Sequence, residues 1–415
     1  EFRDADHVEA ADGSAFEGLS DCIRTLIKSG TVTLDMVDFA RKNMQPYFNQ
    51  VARHAPEWLA TIIDTELADF GPTRMEFDLR QSCLDIEGGA LAYGFSYEVG
   101  RGEDRGPALR CVKDAGDRFL HMYTETSTHE SQPRMDADLL ASLATDYVMM
   151  TLHRSVIKDT PFFPTERATL ASWSYGPGSS EGHRSREESN GDVVAPWALS
   201  WHHGLLKAWS RASLPKRTRF AQHDARIRNY MEIADLLERS VLGGSVGWSE
   251  PNAAGQRDLR FSVPEGPVLE VRAASSMVKE LSSIVLYLRF TAEPNDLVVI
   301  DEPEMNLHPE AQIRLTEVLA MLATAGLRFI ISTHSPYIVD HVSNLLLANE
   351  AHAAEYPSGF PRLERQECFL KHDAVSVYLF ENGGATSILR DDDTIDWGTF
   401  GRVSDYLALV GSKLI

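Results

Sequence analysis

The 415-residue sequence lacks the features of several common protein classes. Its four cysteines, Cys22, Cys83, Cys111 and Cys368, show no C-x-x-C spacing, so neither a zinc knuckle nor a disulfide framework is predicted. No apolar run approaches the roughly 18 residues that a membrane-spanning helix needs, and no secretory leader is visible. These absences favour a protein of the reducing cytoplasm that makes no membrane contact.

Positive charge is also scarce, because 40 Lys and Arg residues oppose 61 Asp and Glu, for a net charge of −21. This balance argues against binding nucleic acid over the whole surface. One basic stretch contrasts with it: Lys207, Arg211, Lys216, Arg217, Arg219, Arg226 and Arg228 are opposed only by Asp224. The stretch could contact DNA or an acidic protein, or it could be a solvated helix face that pairs with the protein's own acids.

The length predicts about two or three domains. Apolar residues recur at helical spacing from residue 16 to residue 70, with Gly30 and Gly71 as stops. Alternating segments predict strands at Met75–Leu79 and Ala90–Val99.

Farther along, Met135–Ile157 is a helix candidate. The segment PFFPTERATL, residues 161–170, predicts a buried strand followed by an exposed Glu166 and Arg167. Residues 173–195 are rich in Gly, Ser and charge, which predicts a mobile loop.

The most informative stretch reads DLVVIDEPEMNLHPEAQ from Asp296 to Gln312. The run Leu297–Ile300 predicts a parallel strand buried on both faces, with Asp301 and Glu302 at its carboxyl end, where α/β sheets bind ligands. An Asp there can hold Mg²⁺, and the adjacent Glu can accept a proton from a water molecule that attacks a γ-phosphate.

A helix and a second strand follow this stretch. Pro309 predicts a helix start and Gly326 its end, with Ile313, Val318, Leu319 and Leu322 facing the core. Arg328–Ser332 predicts another buried strand. At its tip, His334 can donate a hydrogen bond to a terminal phosphate, and Ser335 with Pro336 suits the cap of the next helix.

The ordered set of motifs resembles a known family. VVIDEPEMNLHPEAQ is similar to the Walker B and D-loop region of ABC-type ATPases, and STHSP is similar to their H-loop. More narrowly, NLHPE and FFPTERATL resemble the overcoming-lysogenization-defect-like group, which includes antiphage ATPases such as those of Septu and PARIS. The resemblance is strong over residues 265–345. It implies an α/β head with a mainly parallel sheet, a small antiparallel sheet and a helical insert.

The resemblance also implies ATP and Mg²⁺ as cofactors and a homodimer or higher oligomer, since two heads of this family enclose ATP. The implied site residues are Glu302 and His334 for catalysis, Asp301 for metal, and Ser275, Ser276, Asn306 and His308 for the nucleotide. Ser275 and Ser276 occupy the signature position, at the start of a helix that carries Val278, Leu281, Val285 and Leu288 on one face; Met277 replaces the usual glycine. A simple Ser-capped core helix is the alternative interpretation.

The expected domains follow from this comparison. They are a helical insert at 1–72, the remainder of the first ATPase lobe at 73–170, a mobile loop and basic helical region at 171–260, and the second lobe at 261–415.

One element of the family is missing. The motif G-x-x-x-x-G-K-[ST] does not occur, so we expect the phosphate loop upstream of Glu1, and Gln81 is only a candidate for the Q-loop.

Near the C-terminus, Glu381 and Asp391–Asp393 indicate either a carboxylate metal cluster of a nuclease or an exposed acidic turn. The leading hypothesis is an ATP-driven switch that controls a separate nuclease-type effector in antiphage defence, with DNA or an acidic phage protein as a further partner. A DNA-stimulated recombination or repair ATPase, a nucleotide-binding scaffold with little turnover, and a nuclease remain as alternatives.

Overall fold

The computed structural model describes residues 16–54, 88, 90–91, 94–100, 107–124, 137–171, 205–206, 209, 214–253, 255–350, 356–381, 384–396, 398, 406, 409–410 and 412–413. The chain divides into two compact units, residues 1–158 and residues 159–415. The predicted features at Gly71, Met75–Leu79, Gln81 and 173–195 lie outside the described residues. In the described part of the chain, no helix combines the length and apolar character needed to cross a membrane.

In the first unit, helices pack against an antiparallel sheet. Its elements are α1 (Leu19–Ser29), β1 (Thr31–Asp35), α2 (Met36–Arg53), β2 (Phe95–Gly100), β3 (Pro107–Lys113), β4 (Phe119–Tyr123) and α3 (Ala137–Arg154). The strand order is β1-β4-β3-β2. Both layers contribute to the core, as Leu26, Met44, Leu120 and Val148 illustrate.

A strand interrupts the region for which sequence periodicity predicts helices. α1 ends at Gly30, whose φ of 76° favours glycine and whose N–H donates to the Leu26 carbonyl. The next residues form β1, which pairs with β4 from Thr31 opposite Tyr123 to Asp35 opposite Phe119. Periodicity misses β1 because a strand of five residues lies between two amphipathic helices.

The second unit contains a parallel sheet and a larger apolar core. Its elements are β5 (Phe162–Phe163), α4 (Arg167–Leu170), α5 (Leu214–His223), α6 (Ala225–Leu237), β6 (Ser245–Trp248), β7 (Leu259–Ser262), β8 (Val268–Glu270), α7 (Ser276–Phe290), β9 (Leu297–Asp301), α8 (Pro309–Thr324), β10 (Arg328–Ser332), α9 (Pro336–Glu350), β11 (Tyr378–Glu381) and β12 (Gly384–Ser387). The order β10-β9-β5 is parallel, whereas β6-β7-β8 and the β11-β12 hairpin are antiparallel. The predicted mixed α/β class is confirmed.

The starts of helices α7, α8 and α9 also agree with the sequence-based predictions. Ser275 caps α7 by accepting the Val278 N–H at 3.4 Å, and Ser335 accepts the Ile338 N–H at 3.3 Å at the start of α9. Pro309 opens α8. Most side chains predicted to face the core are buried: Val278, Leu281, Val285, Leu288, Val318, Leu319 and Leu322. Ile313 is half-buried.

The prediction that β9 is buried on both faces is wrong, and so is the prediction that β10 is another buried strand, because no residue of Arg328–Ser332 is fully buried. Val298 and Ile300 lie in the core, but Val299, which points to the opposite face, is half-buried. Its register partners are Phe162 on β5 and Ile330 on β10, and Ile330 is 55% exposed. An apolar row of Phe162, Val299 and Ile330 therefore crosses the sheet on the face opposite the core.

Asp296, just before β9, is a buried carboxyl group. Its Oδ2 accepts hydrogen bonds from the Tyr287 hydroxyl at 2.7 Å and from the Glu293 N–H at 2.9 Å. Its Oδ1 has no hydrogen-bond partner. Burial raises the pKa of Asp296 from 3.8 to about 7, although these two hydrogen bonds lower it in part. Between these pH values, the folded state retains a proton that the unfolded state has lost.

Asp296 should therefore make the protein less stable as pH rises from about 4 to about 7. The pKa difference corresponds to a loss on the order of 4 kcal/mol in the free energy of unfolding over this pH range. We expect Asp296→Asn to remove this part of the pH dependence. Urea unfolding at several pH values measures it, with the exposed Asp340→Asn as the control. Identical pH profiles for Asp296→Asn and the unmodified protein would contradict the buried, protonated carboxyl.

Candidate active site at the carboxyl ends of the parallel strands

Polar residues follow β5, β9 and β10 at the same edge of the sheet. The register sets Ser332 beside Asp301 and Phe163 beside Ile300, so the three parallel strands end together. Ligands of open α/β sheets bind at this edge.

The Asp301 carboxylate accepts hydrogen bonds from both neighbouring strand ends. The Thr165 hydroxyl donates to Oδ2 at 2.5 Å, and the Ser332 hydroxyl donates to Oδ1. The two hydroxyls therefore fix the orientation of this carboxylate. Thr165 is a site residue that the sequence analysis missed, although its position two residues after a short apolar strand was a usable signal.

Glu302 has an unusual backbone conformation. Its φ is 45°, in the left-handed region that side chains other than glycine rarely adopt. Its N–H donates to the Ser332 carbonyl at 3.0 Å, which continues the pairing with β10. The carboxylate lies 3.6 Å from Nε2 of His334, whose side chain is 85% exposed. The structure thus brings Glu302 and His334 together beside Asp301.

The loop after β9 is anchored to its neighbours. The His334 N–H donates to the Glu304 carboxylate at 2.7 Å. His308 caps α8, with Nδ1 accepting the Glu310 N–H at 3.4 Å, and Asn306 donates to Glu280 at 2.9 Å. The two loop residues predicted to bind nucleotide, Asn306 and His308, thus make contacts within the chain.

Arg167 is fully buried, so the prediction of an exposed side chain is wrong; only its neighbour Glu166 is exposed. The guanidinium donates to the carbonyls of Asp301 at 2.8 Å and Glu302 at 3.1 Å, and also to Pro164 at 3.1 Å. The sequence predicted exposure because Arg167 is a charged residue in a short turn, and two of its three carbonyl acceptors, those of Asp301 and Glu302, belong to a distant part of the sequence.

Arg167 also forms a buried ion pair with α7. Its Nε lies 3.2 Å from Oε2 of Glu280, whose side chain is 1% exposed. Burial lowers the pKa of Arg167 and raises the pKa of Glu280. The attraction between the two charges, and the Asn306 hydrogen bond to Glu280, act against these shifts.

Ser275 and Ser276 are exposed at the start of α7. Free N–H groups at a helix start, together with serine hydroxyls, suit a phosphate. Ser276 precedes Glu280 by four residues and lies on the same face of α7.

The predicted basic stretch does not form one continuous patch in the described residues. Lys207, Arg211 and the side chain of Lys216 lie outside them. Arg217 is buried, donates to the Ala292 carbonyl and lies 4.0 Å from the Glu293 carboxylate. The exposed members are Arg219, Arg228 and Arg226, which pairs with Asp224 at 3.2 Å.

We expect Arg217→Ala to lower the free energy of unfolding by about 2–3 kcal/mol, because it leaves a buried carbonyl without its donor. Arg219→Ala is the matched exposed control and should change it by less than about 0.5 kcal/mol. Chemical denaturation measures both. Equal effects would contradict the different burial of these two arginines.

The C-terminal acids form a turn. The Asp392 carboxylate accepts a hydrogen bond from the Thr394 N–H, and the Asp393 carboxylate lies 2.7 Å from Nδ1 of His372. Arg390 forms an ion pair with Asp396. In the part of the chain that the structure describes, no group of three or more His, Cys, Asp or Glu side chains could hold a metal ion by itself. The strand ends still suit Mg²⁺, which needs only one or two carboxylates when phosphates and water complete its shell.

Family comparison indicates the type of domain. Residues 188–340 match the family described as "AAA domain, putative AbiEii toxin, Type IV TA system". This stretch is an ATPase-type nucleotide-binding domain. It contains α7, β9, α8 and β10, and it covers less than half of the chain. No curated protein matches the chain.

Solved structures of SMC ATPase heads show a distant likeness. A chain from a study of ATP-driven dimerization and DNA-stimulated activation of SMC ATPases is 13% identical, with a TM-score of 0.28 over 46% of this chain and 97% of that one. An Smc head bound to the C-winged helix domain of ScpA is 14% identical, with a TM-score of 0.28 over 56% and 61%.

An Smc head with an extended coiled coil, bound to the C-terminal domain of ScpA from Pyrococcus furiosus, is 12% identical, with a TM-score of 0.25 over 56% and 66%. The chain thus spans less than two thirds of the second and third of these heads. At such TM-scores the likeness supports no argument about this protein.

Proposed function

We propose that this protein binds and hydrolyses ATP as an ABC-type switch subunit, forms a dimer through the nucleotide and controls a partner effector. The observation that carries the proposal is the meeting of Asp301, Glu302 and His334 at the carboxyl edge of a parallel sheet. The match of residues 188–340 to an ATPase-type domain supports it.

Each of the three residues has a separate role. Asp301, oriented by Thr165 and Ser332, would hold Mg²⁺, which neutralises charge on the phosphate oxygens when bound. Glu302 accepts the proton of the attacking water. The exposed His334 donates a hydrogen bond to the terminal phosphate.

The position of Ser275 and Ser276 supports the proposed dimer. Both are exposed at the positive end of α7, where they can contact a phosphate held by a second copy of the chain. We propose that the partner effector is a nuclease in cytoplasmic antiphage defence; the name of the matched family, which refers to a toxin and a toxin–antitoxin system, is compatible with a two-component system.

A DNA-stimulated recombination or repair ATPase is the second candidate. The exposed Arg219 and Arg228 favour it, because they carry positive charge on an otherwise acidic protein. Stimulation of hydrolysis by DNA that is lost in Arg219→Glu with Arg228→Glu would support this candidate.

We expect Glu302→Gln to keep ATP binding and to lower hydrolysis by about 10²–10⁴-fold, because a positioned base typically contributes that factor. Steady-state phosphate release and analogue binding measure the two effects. Glu310→Gln, in the first turn of α8, is the matched control and should hydrolyse ATP normally. Normal turnover by Glu302→Gln would contradict the role of Glu302.

The proposed reaction also needs amide donors that cradle the β-phosphate. We propose that a Gly-rich loop supplies them, on a strand that would pair with β10, because in the described strands β10 pairs only with β9.

A further inference from the structure

Arg167, Glu280 and Asn306 form a buried polar cluster that links three segments of the second unit. Arg167 follows β5, Glu280 lies in α7, and Asn306 follows β9. The carboxylate of Glu280 contacts the other two, through Oε2 to Arg167 at 3.2 Å and through Oε1 to Asn306 at 2.9 Å.

Stability alone is a poor explanation for this cluster. Arg167 and Glu280 have side-chain exposures of 0% and 1%, so both charges have left water. The desolvation of such a pair commonly cancels its Coulomb attraction, and apolar residues of similar volume often stabilise a protein equally well. The buried charges therefore suggest a positional role.

The contacts of the cluster indicate what it positions. On one side, Arg167 donates to the carbonyls of Asp301 and Glu302, the two acids at the end of β9. On the other side, Glu280 lies one helical turn after Ser276, at the exposed start of α7. The cluster thus connects the start of α7 to the backbone of the two acids.

We propose that the cluster couples the position of helix α7 to the orientation of the Glu302 carboxylate, so that a phosphate bound at Ser275 and Ser276 promotes hydrolysis. Arg167 and Glu280 are positioning residues in this scheme. The inference rests on the proposed ATPase function, and it adds the element by which contact with a second copy of the chain would reach the reacting water.

The geometry supplies the physical basis of the coupling. The donors of a guanidinium are fixed in one plane, so Arg167 cannot follow a displaced Glu280 and keep all of its carbonyl partners. Glu302 and Asn306 hold positive φ values of 45° and 59°. Such conformations persist only where surrounding contacts maintain them, and loss of the Arg167 contact would let Glu302 turn away.

The test replaces both charges together, because a single replacement buries an unpaired charge and can unfold the protein. In the native protein with its partner chains, we expect Arg167→Met with Glu280→Met to lower kcat about 100-fold, since small misplacements of reacting groups cost about that factor. The KM for ATP should stay within about threefold, because the two replaced side chains, Arg167 and Glu280, are buried and do not reach a bound nucleotide.

The same pair of replacements should have no further effect on kcat in a Glu302→Gln background, because the cluster acts through Glu302. Hydrogen exchange gives a readout that does not depend on hydrolysis. Without nucleotide, the amides of residues 301–307 should exchange about tenfold faster in the Arg167→Met, Glu280→Met protein.

The matched control is Arg289→Met with Glu238→Met. This pair is also largely buried, with a distance of 2.7 Å, but it joins α7 to the end of α6. It should change neither kcat nor exchange at residues 301–307. A merely structural role would make both double variants equivalent, and that result would overturn the inference.

Failure of the inference differs from failure of the proposed function. If Glu302→Gln abolishes hydrolysis but the Arg167 and Glu280 replacements leave kcat and exchange unchanged, the inference is overturned and the ATPase assignment stands. If the native protein hydrolyses no ATP, the ATPase assignment fails. Exchange at residues 301–307 then still decides whether the cluster holds the end of β9.

Discussion

Parallel pairing of β9 with β5 and β10 is the constraint on which the candidate site depends. Parallel strands end at the same edge, so the register between Asp301 and Ser332 also brings Thr165, Glu302 and His334 to that edge. An antiparallel partner would have separated these groups by the length of a strand. The burial of Val298 and Ile300 in the core fixes this register, since a slip of one residue would expose them.

The sequence predicted the parts of the fold that have strong local causes. The caps at Ser275 and Ser335, the Pro309 helix start and the apolar stripe of α7 follow from hydrogen bonding and periodicity within one turn or helix. The same is true of the two acids at the end of β9, because an apolar run ending in acids is visible in the sequence itself.

The parts that the sequence did not predict depend on long-range contacts. Arg167 contacts carbonyls more than a hundred residues away, so its burial has no local signature. Arg217 is buried for the same reason, because it donates to the carbonyl of Ala292, which follows α7 in the sequence. The exposure of Ile330 depends on which strand lies at the edge of the sheet, and sequence periodicity carries no information about strand order.

The exposed side of the parallel sheet has a consequence for handling the protein. Phe162, Val299 and Ile330 present adjacent apolar side chains, and β10 has no other strand beside it among those described. The backbone groups along an unpaired strand edge are a template for pairing with another chain. Wherever β10 is left uncovered, a second molecule could therefore add a strand there, and the solubility of the second unit depends on what covers that edge.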